Sequence, residues 1–234
     1  MVPNDLPNVL VETVIDREAN MRIGILGSGN MAEALGGQWV RAGHEVFVGA
    51  RTAAKAAALA DKIGAVGGGT LREAAEFGEA VLMAVAFPAV RDVVDEVAAA
   101  LAGRVIIDCT NTFEPPAFAQ VVPNGARTIA DAVPGAHVVK AFNLCHESVW
   151  RRTPVEFDGR PLGVPICGNG GLETAERLVR DLGCEPLYGG GLDRAAQLEA
   201  TAAFIVGLYV TGGDPAGMFP PLEHAGGEPR PLDA

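Results

Sequence analysis

A glycine-rich turn between a strand-like and a helix-like segment constrains the fold of this chain more than any other feature. The apolar run of residues 22–26 leads into Gly-Ser-Gly-Asn-Met-Ala at residues 27–32, and a helical pattern covers residues 31–42. A second apolar run follows at residues 45–49. Strand, turn, helix and strand at this spacing predict a βαβ unit, the alternative being a tight structural turn in another kind of α/β protein.

The turn has the G-x-G-x-x-A fingerprint of a dinucleotide-binding site. Gly27 permits the tight turn, Gly29 leaves room for a pyrophosphate beside the backbone, and Ala32 lets the helix pack on the strand. The start of that helix presents free N–H groups and the positive end of its dipole to the phosphates. The residues expected to bind the cofactor here are Gly27, Ser28, Gly29, Asn30 and Met31.

The end of the second strand distinguishes between the two nicotinamide dinucleotides. An NAD site usually places Asp or Glu there, about 20 residues after the glycines, to bind the ribose 2′-hydroxyl. This chain has Arg51 and Thr52 instead of an acid, and Lys55 follows within the first turn of the next predicted helix. Two cations and a hydroxyl attract a 2′-phosphate, which a carboxylate would repel. These residues therefore predict NADP(H), with solvated residues at a helix start as the alternative.

Composition and charge argue against several other classes. The 234 residues are enough for one large or two small domains with a buried core. A net charge of −11 disfavours nucleic acid and anionic membrane surfaces as partners. No apolar run reaches the roughly 18 residues of a membrane span, and no secretory signal pattern is present. Four cysteines without C-x-x-C spacing predict buried apolar side chains in a cytoplasmic protein, without a metal site.

Alternating strand and helix patterns predict a Rossmann-like α/β fold, doubly wound around a mostly parallel sheet, with a C-terminal helix and an irregular tail. Further strands are expected at residues 79–86, 104–108, 137–142, 163–168 and 185–188, and helices at 70–77, 88–101, 172–182 and 194–210. Three glycines at 189–191 are expected to turn the chain into the last helix. The predicted domain spans residues 21–210, between an N-terminal extension at 1–20 and a Gly/Pro-rich tail at 211–234.

Ligands of open parallel sheets bind where the strands end, and this rule selects the turns after the predicted strands. It adds Val85 and Ala86 to the cofactor site and places Asn111 and Asn143 beside the nicotinamide. An asparagine amide both donates to and accepts from a carboxamide, although turn stabilisation is the alternative role. His146 is a candidate acid or base, with a structural role at a helix start as the alternative. The expected cleft is edged by Phe87, Asn111, Asn143 and His146.

Several blocks of sequence together resemble a known family. They are residues 27–31, 48–51 with Lys55, 138–143, 164–168 and the final helix from Leu198. Over residues 21–210 the chain resembles the F420-dependent NADP oxidoreductases, and it is similar to the cytosolic NADPH-binding domain of six-transmembrane ferric reductases. The resemblance implies a single-domain oxidoreductase, commonly a homodimer, in which hydride passes between the nicotinamide and a stacked acceptor. The chain departs from the deazaflavin enzymes at Asn143, where they have histidine and the ferric reductases have asparagine.

Three functions are compatible with these residues. The first is an NADP(H)-dependent oxidoreductase with a deazaflavin (F420) or flavin-like co-substrate. The second is NADPH-dependent reduction of a small imine or carbonyl, for which His146, Glu147 or Tyr188 would donate a proton. The third is a non-catalytic NADP(H)-binding sensor. We rank them in this order, with Asn143 and His146 as candidate catalytic residues, because a cleft lined by asparagines suits hydride transfer.

The last predicted helix is apolar on more than one face, over residues 202–209. One face can cover the sheet, while the remaining apolar surface needs another partner. This pattern predicts a homodimer that forms through the helix, with a fully internal helix as the alternative.

Overall fold

The structure is a computed structural model that describes residues 20–218. Within this range the strands are β1 (Arg22–Leu26), β2 (Glu45–Gly49), β3 (Gly67–Gly69), β4 (Ala80–Met83), β5 (Val105–Asp108), β6 (Phe113–Glu114), β7 (Ala119–Gln120), β8 (His137–Lys140), β9 (Glu156–Phe157), β10 (Arg160–Pro161), β11 (Gly163–Gly168) and β12 (Glu185–Gly191). The α-helices of the same range are α1 (Asn30–Ala42), α2 (Ala53–Ile63), α3 (Leu71–Phe77), α4 (Val90–Leu101), α5 (Gly125–Ala132), α6 (Glu147–Trp150), α7 (Leu172–Arg180) and α8 (Ala195–Val210).

Eight of these strands form one sheet in the order β12-β11-β8-β5-β4-β1-β2-β3. Neighbouring strands run parallel, except that β8 and β11 pair antiparallel. The chain builds the sheet outwards from β1 to β3 and then returns to the other side of β1 with β4. Such a reversal is the topological switch point at which open α/β sheets bind ligands. The predicted Rossmann-like fold with a mostly parallel sheet is confirmed.

Helices cover both faces of the sheet, which explains why its strands are continuous apolar runs. Ile107 points into the cluster formed with α1, α2 and α7, whereas its neighbour Ile106 points into the cluster formed with α3, α4 and α5. In the same way, Leu82 points into the first cluster and Val81 into the second. Because successive side chains of a strand point to opposite faces, both faces need apolar residues.

Two predicted strands are shorter in the structure, because the chain leaves the sheet to form the site. β4 ends at Met83 and β8 ends at Lys140, rather than at residues 86 and 142. The prediction that the glycines at 189–191 form a turn is wrong, since they belong to β12. A Cβ on Gly189 would lie 2.6 Å from Sγ of Cys167, so glycine is needed there for close approach to β11.

Several short elements are absent from the sequence prediction. They are β3, α5, α6, and the two hairpins formed by β6 with β7 and by β9 with β10. The tail is not wholly irregular, because a 3₁₀ turn covers Pro215–Met218. The rest of the tail and residues 1–19 of the predicted extension lie outside the described residues. Between residues 20 and 218, no helix combines the length and hydropathy that crossing a membrane requires.

The cysteines pack as small apolar side chains, as predicted. All four carry free thiols; Cys109, Cys167 and Cys184 are buried, and Cys145 is half-buried. Burial raises the pKa of Cys109 to about 12 and that of Cys184 to about 11. A thiol with so high a pKa remains protonated and unreactive near neutral pH.

An ion cluster lies inside the apolar core, between the sheet and α8. Nζ of Lys140 lies 2.6 Å from Oδ2 of Asp108 and 2.7 Å from Oε1 of Glu199, and all three side chains are fully buried. The ammonium also donates a hydrogen bond of 2.8 Å to the carbonyl oxygen of Thr110. Burial alone would lower the pKa of Lys140, but the charges of Asp108 and Glu199 outweigh that effect and raise it. Lys140 is therefore held as the ammonium.

Replacing Lys140 with Met should lower the free energy of unfolding by about 3–5 kcal/mol, because two buried carboxylates lose their counter-charge. The matched control is Lys62→Met, which removes an exposed ion pair with Glu33 and should cost less than about 1 kcal/mol. Urea denaturation measures both variants. Because the folded-state pKa of Lys140 is raised, its contribution should persist below the unfolded-state pKa and disappear as pH rises through the folded-state value. Equal, small losses in the two variants would contradict this assignment.

Candidate active site

The predicted dinucleotide turn connects β1 to α1 at the switch point of the sheet. Gly27 has a φ of +126°, and its N–H donates a hydrogen bond of 2.8 Å to the carbonyl of Gly49 at the end of β2. A Cβ on Gly27 would lie 2.3 Å from the carbonyl oxygen of Ala84, just after β4. The turn is thus packed between the ends of both neighbouring strands, where only glycine fits.

Gly29 differs from Gly27, because the space beside it is open. It is the N-cap of α1, has an extended backbone, and a Cβ built on it would meet no atom within 4 Å. No side chain caps this helix, and the first N–H groups of any helix have no intrahelical partner. Open space in front of these donors fits a pyrophosphate. Ala32, one turn further on, is fully buried against the sheet, as the fingerprint requires.

A cleft of about 260 Å³ opens at this turn, and we call it the phosphate cleft. Its lining is Gly27, Ser28, Gly29, Ala50, Arg51, Thr52, Lys55, Leu71, Ala84, Val85, Ala86, Ala89 and Val93. The structure therefore brings together the predicted glycine turn, the predicted 2′-phosphate residues and the predicted turn after β4. Asn30 and Met31, the first two residues of α1, do not line this cleft.

The cations of the phosphate cleft are exposed and free. Thr52 is the N-cap of α2, and the N–H of Lys55 donates to its carbonyl oxygen at 2.9 Å, which places Lys55 in the first turn. Within residues 20–218, the side chains of Arg51 and Lys55 make no ion pair and no hydrogen bond. Two unpaired cations side by side in a chain of net charge −11 form a local site for an anionic group.

A second cleft, of about 230 Å³, lies beyond the ends of β5 and β8, and we call it the asparagine cleft. Its lining is Met31, Cys109, Asn111, Phe142, Asn143, Leu144, Cys145, His146, Glu147 and Val206. Met31 follows Gly29 by two residues, so the two clefts adjoin at the start of α1. Both clefts therefore lie at the carboxyl ends of the parallel strands.

The two predicted asparagines bind each other at the base of this cleft. Nδ2 of Asn111 donates to the backbone carbonyl of Asn143 at 2.9 Å, and Nδ2 of Asn143 donates to Oδ1 of Asn111 at 3.0 Å. Oδ1 of Asn143 is buried and has no hydrogen-bond partner among the described residues. A buried acceptor without a hydrogen bond destabilises a protein by about 1–3 kcal/mol. A ligand that donates a hydrogen bond to it would remove this cost.

A strained backbone turn presents Asn143 to the cleft. Phe142 has a φ of +62° although it is a bulky residue, and its side chain is 2% exposed. Its ring packs edge-on against Trp39 and Trp150, with centroids 6.0 Å and 5.3 Å away. Such strain persists where the surrounding core fixes the conformation, and it is common at functional sites.

His146 lines the asparagine cleft but also has the structural role given as its alternative. It is the N-cap of α6, and its Nδ1 lies 3.0 Å from Oγ of Ser148. Its Nε2 lies 2.9 Å from Oε2 of Glu147, whose Oε1 accepts a hydrogen bond of 2.9 Å from Nδ2 of Asn30. The predicted cofactor residue Asn30 therefore joins α1 to α6 across the edge of the cleft.

Two expected cleft residues lie elsewhere. Phe87 packs beside α5, since a Cβ on Gly125 would lie 2.7 Å from its ring, and it does not line the asparagine cleft. Tyr188 is 67% exposed on the edge strand β12, away from the cleft. The sequence analysis missed Lys140 and Glu199, although a lysine in an otherwise apolar strand is a signal of a buried ion pair.

Known proteins resemble this chain in sequence. Residues 22–112 match the family described as "NADP oxidoreductase coenzyme F420-dependent". The metalloreductase STEAP3 of Rattus norvegicus is 32% identical over 181 residues, which cover 76% of this chain and 36% of that protein. The chain thus spans about a third of the length of this curated relative.

Solved structures share the fold. Protein SMa0349 from Sinorhizobium meliloti is 25% identical, with a TM-score of 0.67 over 75% of this chain and 88% of that one. A candidate F420-dependent NADP-reductase from Arthrobacter sp. FB24 is 22% identical, with a TM-score of 0.70 over 83% and 96%. An imine reductase from Aspergillus terreus is 23% identical, with a TM-score of 0.63 over 86% and 64%.

The fold and its two clefts define a Rossmann-type domain, and the comparisons show that it is similar to NADP-dependent oxidoreductases. Residues 22–112 match the family model of F420-dependent NADP oxidoreductases, and the similarity to a metalloreductase covers 76% of the chain. The family resemblance predicted from the sequence is therefore confirmed.

The two turn glycines should respond differently to alanine. Gly29→Ala should leave the melting temperature unchanged, because its Cβ enters open space, but should weaken NADPH binding by occupying the predicted pyrophosphate position. Gly27→Ala should destabilise the fold by at least about 1–3 kcal/mol, because of its positive φ and the contact with Ala84. Thermal melts and NADPH titration measure both effects. Unchanged NADPH affinity in Gly29→Ala would contradict the assignment of the turn.

Proposed function

We propose that this chain transfers hydride between NADP(H) and a flat acceptor of the deazaflavin (F420) or flavin type. The observation that carries the proposal is the junction of two clefts at the strand ends. One is lined by an anion-binding turn and two free cations, and the other by a buried amide pair. NADPH, when bound, supplies the hydride from its nicotinamide ring. The protein supplies binding, orientation and exclusion of water.

The residues present fit NADP(H) along the phosphate cleft. The N–H groups at the start of α1 would hold the pyrophosphate beside Gly29, since no side chain occupies that space. Arg51, Thr52 and Lys55 would hold the 2′-phosphate, because both cations are free to pair. Val85 and Ala86 would line the path between the two clefts.

The asparagine pair would hold the nicotinamide carboxamide. Oδ1 of Asn143 needs a donor, and a carboxamide N–H₂ is one. Asn111 fixes the orientation of Asn143 through its own amide. Met31, Phe142 and Val206 add apolar walls that exclude water. Hydride transfer to a flat ring requires no strong acid, and the buried thiol of Cys109, with its pKa raised to about 12, adds none.

Reduction of a small imine or carbonyl is the second candidate. The observation that favours it is the His146–Glu147 pair at the edge of the asparagine cleft, because that reaction needs a proton donor. Tyr188 is not available for this role, since it does not line the cleft. A sensor that binds NADP(H) without turnover is the third candidate.

We further propose that one domain, residues 21–210, contains the whole site, and that the protein acts in the cytoplasm, where free cysteines are kept reduced. No residue outside this range lines either cleft among the residues that the structure describes.

Homodimerisation through α8 is part of the proposal. Phe204, Tyr209 and Val210 are 59%, 73% and 60% exposed, which is unusual for large apolar side chains on one helix. We expect a dimer at micromolar concentration by analytical sedimentation, and a monomer for Tyr209→Glu. The control Val66→Glu changes an apolar side chain of similar exposure on another surface and should leave the dimer intact. A monomeric wild-type protein would contradict the proposed interface.

Arg51→Ala should weaken NADPH binding about tenfold to a hundredfold, because a charged hydrogen bond contributes roughly 1.5–3 kcal/mol. NADH binding should change much less, since NADH lacks the 2′-phosphate. Arg41→Ala is the matched control, because it removes the same charge from the opposite end of α1. Fluorescence titration of both cofactors measures these affinities. Equal affinity of the wild-type protein for NADH and NADPH would overturn the NADP(H) assignment.

The two candidate reactions predict that different substitutions lower the turnover rate. With a flat acceptor, Asn143→Ala should lower turnover with little change in NADPH affinity, because its role is to orient the reacting rings. The pH–rate profile should then be flat. With an imine or carbonyl, His146→Ala should abolish most of the rate, and the wild-type rate should fall as the proton donor titrates.

The measurement is NADPH absorbance with deazaflavin, flavins, imines and aldehydes, for the wild-type protein and both variants. Tight NADPH binding without turnover on any acceptor would leave the sensor as the function.

A further inference from the structure

The buried cluster of Lys140, Asp108 and Glu199 carries a net negative charge beside the asparagine cleft. Two carboxylates face one ammonium, and all three side chains are fully buried. Lys140 and Asp108 are the last residues of β8 and β5, and the chain that follows these two strands lines the cleft. Buried charges are screened much less than exposed ones, so the field of the cluster reaches the cleft.

The surroundings of Glu199 offset this charge only in part. The N–H groups of Gly125 and Ala126, at the start of α5, donate to its carboxylate at 2.9 Å and 3.3 Å. The start of a helix acts as roughly half a positive charge, which is less than the negative charge that remains. The hydroxyl of Thr112 donates a further hydrogen bond of 3.3 Å but adds no charge. The cluster therefore stays negative overall.

The thiol of Cys109 indicates the sign of this field inside the cleft. Cys109 follows Asp108 directly and is one of the residues that line the cleft. Burial has the largest effect on the pKa of this thiol and raises it; the charge of Asp108 raises it further, and the charge of Lys140 lowers it by less. Since negative charge disfavours a thiolate, negative charge outweighs positive charge at this part of the cleft wall.

Two further groups direct negative charge to the same cleft. Glu147 is held at its edge by Asn30 and His146, each 2.9 Å from one carboxylate oxygen, and its side chain is only 18% exposed. Oδ1 of Asn143, the negative end of an amide dipole, is buried and has no hydrogen-bond partner among the described residues. The described residues that line this cleft include no lysine or arginine. The cleft therefore suits a cationic ring better than a neutral one.

The two forms of the cofactor differ in charge at the ring that this cleft is proposed to hold. NADP⁺ and NADPH carry the same phosphates, so the phosphate cleft binds both alike. The nicotinamide ring is neutral in NADPH and carries one positive charge in NADP⁺. When hydride leaves the ring, two electrons and one proton pass to the acceptor, and the ring becomes cationic. A negative field therefore stabilises the oxidised form relative to the reduced form.

We infer that Glu199 and Glu147 make bound NADPH a stronger hydride donor, because the negative charge that they place around the cleft stabilises the cationic ring of NADP⁺. The inference rests on the proposed function, which places the nicotinamide in the asparagine cleft. It adds a direction to that function: the site favours oxidation of NADPH and reduction of the acceptor.

The experiment measures the dissociation constants of NADP⁺ and NADPH by calorimetric titration, for the wild-type protein, Glu199→Gln and Glu147→Gln. Each substitution should weaken NADP⁺ binding relative to NADPH binding by about threefold to tenfold, the scale of one charge in a partly buried site. A tenfold change in this ratio corresponds to about 30 mV in the potential of the bound two-electron couple. The matched control is Glu45→Gln, which removes the same charge from an exposed position at the start of β2 and should leave the ratio unchanged.

Adenosine 2′,5′-bisphosphate is the control ligand, because it carries the 2′-phosphate and lacks the nicotinamide. Its affinity should be the same in the wild-type protein and in both cleft variants. A substitution that only disturbs the fold would weaken all three ligands together and leave the ratio of the two cofactors unchanged. If Glu199→Gln does not fold, Glu147→Gln decides the question, because a glutamine there can still accept the hydrogen bond from Asn30.

An unchanged ratio in the cleft variants that fold, or an equal change in Glu45→Gln, would overturn the inference while leaving the proposed hydride transfer intact. A wild-type protein that binds neither cofactor would instead overturn the proposed function, and the inference with it.

Discussion

The buried contact between Lys140, Asp108 and Glu199 is the interaction on which the rest of the site depends. Lys140 and Asp108 are the last residues of two adjacent strands, and Glu199 lies on the helix that covers them. The Lys140 ammonium also holds the carbonyl of Thr110, next to Asn111. One group thus fixes both strand ends from which Asn111 and Asn143 extend, and it connects them to the helix that carries Val206 into the cleft wall.

Such a cluster contributes more to arrangement than to net stability. Desolvating three charges costs several kcal/mol for each ion, and replacement by apolar residues is often neutral or stabilising in proteins. The two carboxylates and one ammonium leave the cluster with a net negative charge. That charge is stabilised because the carboxylate of Glu199 accepts hydrogen bonds from the N–H groups of Gly125 and Ala126 at the start of α5. Oδ2 of Asp108 makes no hydrogen bond among the described residues and relies on its ion pair with Lys140. Removing the ammonium therefore leaves charges that the apolar core cannot accommodate.

Sequence predicts those parts of the site whose physics is local or follows from topology. The turn at Gly27 and Gly29 was predictable because strand, turn and helix are consecutive, and Asn111 and Asn143 because parallel strands end at one edge. Contacts between distant segments were not predictable. Asn30 and Glu147 are 117 residues apart, and their hydrogen bond depends on how α6 packs on α1. The strand glycines at 189–191 misled for the same reason, since Gly189 is required by its close contact with Cys167 on the partner strand and not by a turn.

The geometry of the cleft is determined by the core beneath it rather than by its loops. A left-handed Phe142 costs of order 1–3 kcal/mol, and the conformation persists because its ring is held between Trp39 and Trp150. That turn is what presents the carbonyl of Asn143 to Asn111 and leaves the side-chain oxygen of Asn143 unpaired. The proposed hydride transfer would depend on orientation more than on proton donors. A site of this kind therefore needs rigid packing below it, which two tryptophans and a buried lysine supply, and needs few titratable groups within it.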